Sequence, residues 1–480
     1  MNRLRIHRAA LLAFCITGLA SAPGIRATIV DDIGLTQLRA LDPSLTGSGV
    51  NVGQPEADED PGTPDAFQVN PAAVGQPASL FTYTSAAGTA TGTFPNAVGT
   101  QSSHGNTVGA NFYGTASGVA PGVAHVYSYD ASYFYNNLIA SQTAIPAKVV
   151  NQSFIFTGLT VLQQQQVEQT YDDFAARYGT IFVNGAGNSG TPSAPSTAYN
   201  GIAVGAFGGV SAVGPTSDGR SKPDITAPGS ATSFSTPLVA GAAAILVQAG
   251  ARGDGGAGTA TAATDNRTIK ALLLNGAVKP AGWAHTTTQP LDPRYGTGVL
   301  NVYNSYLELK GGEHSFTVTT NGSSHLPPST ANNEPVTRGW DLNTIAPTGL
   351  PFQDATNHYF FDLTNPPNSS FQFTATLTWE RQFGQSGINN LDLYFYDVLT
   401  NTLLGASIST VDNVEHLYLP TLASGRYDLE VFYNGASPIG LGGETYALAF
   451  DFAPVPEPSS IVLILGGFGA FAFRIRRRVS

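Results

Sequence analysis

The stretch PGSATSFSTPLVAGAAAILVQA, residues 228–249, decides the fold of this chain. In it Ser233 follows two small residues, Ala231 and Thr232, and precedes an apolar, alanine-rich run that reads as a buried helix. A serine so placed has its own backbone N–H and the positive end of the helix beside it. Alone, such a serine is usually only a cap. Here two other stretches bring it company. His104 lies in SSHGNTVGANFYG, where Gly105 and Gly109 leave room for two chain segments to meet at the imidazole. Asn188 lies in FVNGAGNSG, just after the strand-like run Ile181-Phe182-Val183, and is either a turn residue or an amide aimed into a cleft. A serine is a poor nucleophile until a base takes its proton and donors wait for the oxyanion. The other seven histidines have no such setting, and no His-Glu-x-x-His or similar metal spacing occurs.

Outward from these residues, positions 28 to about 310 alternate strand and helix signals. Short β-rich runs at Val149-Val150, Ile181 to Val183 and Ile202 to Val204 are separated by helical patterns, which predicts an α/β domain with a mostly parallel sheet covered on both faces. In TVLQQQQVEQTYDDFAARYG, residues 160–179, Val167, Tyr171, Phe174 and Tyr178 share one helical face, the glutamine run is the wet side, and Gly179 is placed to cap. From about 315 the period becomes two. Phe371, Phe373, Ala375, Leu377 and Trp379 alternate with polar residues, as do Tyr427 to Tyr433 and Tyr446 to Phe452. That pattern predicts an antiparallel β-sandwich with one wet face per sheet.

At 480 residues there is chain enough for two or three cores. The net charge is −11, and eight of the 22 basic residues lie in the two termini, so the body is more acidic still. Such a body is repelled by nucleic acid and by anionic lipid. Residues 1–27 read as a signal peptide: Arg3, Arg5 and Arg8, then AALLAFCITGLA, then the small residues Ala20-Ser21-Ala22. The single cysteine, Cys15, leaves with it, so no disulfide is expected. One stretch stays open at this level. GSGVNVGQPEADED, residues 47–60, ends a strand-like run in Glu56, Asp58, Glu59 and Asp60, which read as a solvated turn, a metal site or a catalytic acid.

Together these stretches resemble the subtilases, the subtilisin-like serine peptidases. ATSFSTPLVAG is similar to their serine motif, HGNTVGA to their histidine motif and GAGNSG to their oxyanion segment, with GVAPGV, KPDITAPG and GTGVLNV in the right order. The resemblance covers roughly residues 34–308. It implies Ser233 as nucleophile, His104 as base and Asn188 as oxyanion donor. The family's acid closes a strand like Gly47 to Pro55, which puts Glu56 at the aspartate; Asp58 takes the place if the strand bulges, and a solvated loop is the remaining reading. Three departures stand out: Ala231 replaces a glycine, Ile155 replaces a glycine in the substrate-pairing edge, and the loop before Thr232 is short. Activity is expected near neutral pH, where imidazole is a free base.

The second domain resembles the pre-peptidase C-terminal domain of secreted peptidases. Its Asp392 and Asp397 are candidate calcium ligands, although a structural calcium is unassigned and the chemistry requires no cofactor. The tail Val455-Pro456-Glu457-Pro458-Ser459, the apolar run and Arg474 to Arg478 resemble the PEP-CTERM sorting signal, which implies an exosortase-type enzyme as partner. The expected order is a signal peptide (1–27), a peptidase domain (28–312), a sandwich (313–453) and a sorting or anchor segment (454–480), the only part to meet a membrane. The expected function is a serine endopeptidase of protein or peptide substrates, exported to the envelope, surface or matrix of a bacterium. The alternatives are a non-catalytic surface or matrix protein on the same scaffold, or an adhesin acting through the sandwich.

Overall fold

The computed structural model describes residues 6–7, 29–58, 65–256, 258–317, 325–327, 336–345, 356–435 and 443–455. The signal-peptide reading, apart from Ile6 and His7, and nearly all of the sorting tail lie outside the described residues, as do Glu59 and Asp60.

An eight-stranded sheet forms from β1 (Asn51–Glu56), β2 (Phe81–Thr84), β3 (Ala90–Thr91), β4 (His125–Asp130), β5 (Val149–Gln152), β7 (Ile181–Gly185), β8 (Ile202–Phe207) and β9 (Ile225–Pro228), with the short β6 (Ile155–Phe156) following β5 outside it. The spatial order is β9-β8-β7-β5-β1-β4-β2-β3, parallel except for the β2–β3 hairpin. Successive residues of a strand serve opposite layers. Val149, Ile181 and Val183 join the core under the helix α3 (Thr232–Arg252), while Val150 and Phe182 pack with Tyr171 and Phe174 of α2 (Val161–Tyr178). The remaining helices used below are α1 (Ser103–Phe112), α4 (Asn266–Asn275) and α5 (Val302–Gly311). Helix α3 is apolar enough to cross a membrane by composition, but 83% of that window is buried, because it is the central core helix.

Helix α2 starts with a capping box between Thr160 and Gln163 and ends at Gly179 with φ 63°, the left-handed conformation glycine adopts without a Cβ clash. Tyr178 departs from the expected buried face. It is 38% exposed at the last turn, where its hydroxyl donates to Gln142 O at 2.6 Å. The centre of the sheet is a switch point: from β1 the chain builds β2 and β4 on one side, then β5, β7, β8 and β9 on the other. Open parallel sheets place ligands beyond the carboxyl ends of the strands at such a point.

Two four-stranded antiparallel sheets make the sandwich. One contains β10 (Arg338–Ile345), β12 (Ser370–Trp379), β15 (Val414–Ala423) and β17 (Glu444–Pro454) in the order β10-β17-β12-β15. The other contains β11 (Thr356–Asp362), β13 (Leu391–Asp397), β14 (Thr402–Ser407) and β16 (Arg426–Tyr433) in the order β11-β16-β13-β14. The alternating aromatics fill the space between them: Phe373 stacks on Phe395 at 4.2 Å and on Phe452 at 4.6 Å. The expected wet face of the first sheet is instead covered. Thr374, Thr376 and Thr378 are buried because this sheet docks on α4. Thr376 donates to Asn275 Oδ1 (3.0 Å) and Thr378 to Arg267 O (3.0 Å), so the small hydroxyls find partners in a helix rather than in water. Ala447, Ala449 and Trp340 accordingly belong to the same apolar cluster as α3.

Candidate active site

Glu56 is the last residue of β1 and is 1% exposed. Its Oε2 lies 3.0 Å from His104 Nδ1. The strand does not end at Pro55, as a proline without an N–H first implies. Pairing with β5 involves only Val52 and Gly53, while the ladder to β4 continues through Pro55 and Glu56, so the proline sits where β1 has lost one neighbour. Asp58 is exposed. Glu56 is thus a candidate acid that this structure brings to the imidazole.

A residue that the sequence did not single out holds that carboxylate. Gln54 shares the face of Glu56 because side chains on a strand repeat every two residues. Its Nε2 donates to Glu56 Oε1 (3.0 Å) and to Gly105 O (2.9 Å), and its Oε1 accepts from Tyr113 Oη (2.6 Å). Gln54 and Tyr113 are both fully buried, and burial pushes the Tyr113 hydroxyl well above its ordinary value, keeping it a donor. The end of β1 is thereby tied to both ends of α1. His104 is the second residue of that helix, whose N-cap Ser102 accepts from Gly105 N at 2.9 Å. A Cβ at Gly105 would lie 3.2 Å from Ser102 Cβ and 3.4 Å from Glu56 Cγ, so glycine there lets the start of the helix pack closely on the N-cap beside the acid.

Ser233 is the second residue of α3, half-buried, among the first N–H groups that have no intrahelical acceptor. Ala231 precedes the helix at φ −152° and ψ 161°, extended backbone that alanine adopts as readily as glycine. Pro237 lies inside the helix and cannot donate back to the Ser233 carbonyl. The Ser153 hydroxyl takes that place at 2.9 Å, and the Ser233 hydroxyl donates in return to Ser153 O at 3.3 Å. The His104 ring lies 5.8 Å from the ring of Phe234, the next residue, and Asn111 of α1 donates to Phe234 O at 3.2 Å. The helices that carry His104 and Ser233 are therefore pinned together beside these two side chains.

Asn188 follows β7 and is half-buried. Its Oδ1 accepts from Thr232 N (3.0 Å) and from Thr232 Oγ1 (2.9 Å). With the oxygen so held, the amide nitrogen is turned away from Thr232 and has no partner among the described residues. Beyond the serine runs the edge strand β6, against which Ile6–His7 pairs antiparallel (Ile6↔Phe156, His7↔Ile155).

The candidate calcium ligands differ. Asp392 is buried; its Oδ2 accepts from Asn434 (3.0 Å) and Tyr394 (3.2 Å), while its Oδ1 has no hydrogen-bond partner among the described residues. Asp397 accepts from Thr400 N (2.8 Å) and closes a turn. Among the described residues, neither belongs to a cluster of three or more metal-ligating side chains.

A family model for the subtilase family matches residues 84–298, and one for a PEP-CTERM protein-sorting motif matches residues 454–478. The first span holds His104, Asn188 and Ser233 and starts after Glu56, so the acid's place rests on the geometry above. No curated protein matches the chain. Similar solved structures include the self-cleaved protease domain of PatA, at 21% identity and TM-score 0.39 over 56% of this chain and 100% of that one. The prenylagaramide maturation protease PagA is similar at 20% and 0.40 over 58% and 99%. A protease from Pseudoalteromonas arctica PAMC 21717 is similar at 18% and 0.36 over 60% and 95%.

Proposed function

We propose that this chain, which carries a subtilase-family domain over residues 84–298 and a PEP-CTERM sorting motif over residues 454–478, is an exported serine endopeptidase. One observation carries the reading: Glu56 Oε2 meets His104 Nδ1 at 3.0 Å beside the start of the helix that bears Ser233. Ser233 Oγ attacks the carbonyl carbon of a peptide bond as its proton passes to His104 Nε2. Glu56 accepts from Nδ1–H and stabilises the imidazolium, the role a triad carboxylate plays. A glutamate is longer than an aspartate by one carbon–carbon bond of about 1.5 Å, and here it still meets His104 Nδ1 at 3.0 Å. The developing oxyanion accepts from Ser233 N–H and Asn188 Nδ2–H. Collapse of the tetrahedral species breaks the C–N bond, and His104 returns its proton to the leaving amine. Water then repeats the sequence on the acyl-serine, releasing the acid and restoring Ser233. No step draws on a cofactor.

An extended protein or peptide substrate adds as a strand to the edge of β6, the edge on which Ile6–His7 pairs. Ile155 at that edge narrows the groove where a glycine would leave it open. An exosortase-type enzyme is the partner for the tail, and the destination is the cell envelope, surface or matrix. The test is labelling of the purified chain with a fluorophosphonate. The expected result is one adduct, mapped by mass to Ser233 and missing from Ser233→Ala. A well-folded chain that takes no adduct would overturn the reading in favour of a non-catalytic scaffold.

A further inference from the structure

The second sheet of the sandwich holds a buried charged cluster that peptide hydrolysis does not use. Along β16, Tyr427, Leu429 and Val431 fill the sandwich core, so Asp428 and Glu430 project from the opposite face. Both are buried all the same, at 0% and 6% exposure. On the neighbouring strand β11, His358 stands directly across from Glu430 and is fully buried. His325 covers the group from the chain that leads into the sandwich, its ring stacked on Tyr396 at a centroid distance of 3.8 Å. The same chain is fastened to β11 nearby, where Thr317 N donates to His358 O at 2.8 Å.

His325 Nδ1 lies 3.3 Å from Asp428 Oδ2 and 2.5 Å from Glu430 Oε1, and the three ligand atoms all fall within 4.8 Å of one another. His358 Nδ1 is 2.8 Å from Asp428 Oδ2. Two carboxylates side by side in a dry site repel unless a cation lies between them. A separate observation points the same way. Asp428 Oδ1 is buried and has no hydrogen-bond partner among the described residues, a position that costs free energy unless something positive fills it.

We infer that His325, Asp428 and Glu430 bind a divalent transition-metal ion of the zinc class, with His358 orienting Asp428. A dication balances the two carboxylates. The imidazole nitrogen argues against calcium, which takes six to eight oxygen ligands, and for zinc, which takes nitrogen and carboxylate oxygen together at about 2.0–2.2 Å. A tetrahedron of such bonds has edges of roughly 3.3 Å, the His325–Asp428 spacing; the His325–Glu430 pair must open by less than about 1 Å. The 3.3 Å spacing is to Asp428 Oδ2, and a carboxylate that binds through both oxygens gives the unpartnered Oδ1 the ion as its partner as well. The ion staples the incoming chain to the sheet and is structural, distant in role from the serine chemistry.

The test measures zinc in the full chain carrying Ser233→Ala, which prevents self-digestion. The chain is dialysed against Zn²⁺, gel-filtered and assayed by elemental mass spectrometry, and Co²⁺ is used as a coloured probe. The expected result is one zinc per chain, a Co²⁺ spectrum of nitrogen–oxygen ligation, and a melting temperature that a chelator lowers. Adding His104→Ala leaves the metal in place, which rules out capture by the cleft imidazole. His325→Ala, on a half-buried residue outside the strands, abolishes retention and makes the melting temperature insensitive to chelator. His358→Asn weakens binding by roughly ten- to a hundredfold, as loss of an outer partner does. The proposal falls if neither Zn²⁺ nor Co²⁺ is retained, since the cluster is then held by protons alone. It also falls if His325→Ala retains the metal, or if His104→Ala loses it.

Discussion

Glu56 meets one imidazole at 3.0 Å, while Asp428 and Glu430 share two. Both places are buried pairings of histidine with carboxylate, and their surroundings set different chemistry. In the cleft the acid's second oxygen is satisfied by Gln54, the ring is 12% exposed, and a helix start with a serine lies alongside. Charge there is shared between the carboxylate and the ring that meet at 3.0 Å. In the sandwich cluster two carboxylates lie side by side, and Asp428 Oδ1 has no hydrogen-bond partner among the described residues.

Substitutions should separate the two regions. The largest effect is expected at the acid: Glu56→Gln should lower turnover by about 10⁴-fold, as losing a triad carboxylate can, with the melting temperature little changed. Near-normal turnover in that variant would remove Glu56 from the mechanism. The converse is Phe373→Ala. Phe373 is 0% exposed between Phe395 and Phe452, so its loss should cost about 3–5 kcal/mol of stability. The fluorophosphonate labelling rate of the chain that remains folded should not change. If that rate collapses too, the sandwich shapes the cleft and the two regions are not separable.

A finer probe is Gln54→Leu, which strips a donor from Glu56 Oε1 and from Gly105 O and leaves the Tyr113 hydroxyl without its acceptor. A loss of about 10²-fold is expected, falling on kcat rather than KM, because Gln54 positions the acid and does not touch substrate. An equal rise in KM would contradict that role.

The smallest effect is a pH dependence of stability. Burial pushes Asp341, Glu380 and Glu444 each up to about 7. A carboxyl raised in the folded state binds its proton more tightly there than in the unfolded chain, so its contribution is complete below the unfolded value near 4 and is lost as pH climbs through 7. Burial also lowers Lys270 to about 8 and Lys279 to about 7. Those amines are neutral in the fold where the unfolded chain is charged, so stability recovers above that range. The melting temperature of the Ser233→Ala chain should therefore fall between about pH 4 and 7 and rise again toward pH 9. A curve that climbs steadily from pH 4 to 7 would mean these carboxyls ionise freely in the fold.

What was legible in the sequence was whatever depends on local pattern. The capped helix of residues 161–178, the parallel strands that serve two layers, and the period-two strands of the sandwich all follow from side chains repeating at helical or strand spacing. Ser233, His104 and Asn188 stood out as candidates because helix starts and glycine turns leave small residues around them. Glu56 was visible only as one of several acids, since a strand pattern does not tell which carboxylate reaches across to another element. Gln54, Tyr113 and Asn111 gave no signal: each acts through a hydrogen bond to a residue from 2 to 123 positions away.

The sequence by itself determined the layers, the reactive residue types and the change from one architecture to the next, because hydrophobic period and turn chemistry act over a few residues. Only the tertiary structure decided three things. It chose Glu56 by carrying β1 one residue past Pro55, and it buried the threonine face of the sandwich by docking it on α4. It also gathered His325, His358, Asp428 and Glu430 from separate segments into one charged cluster. In each case the outcome depends on which surfaces meet, and burial, charge pairing and hydrogen-bond satisfaction are properties of the meeting rather than of either segment.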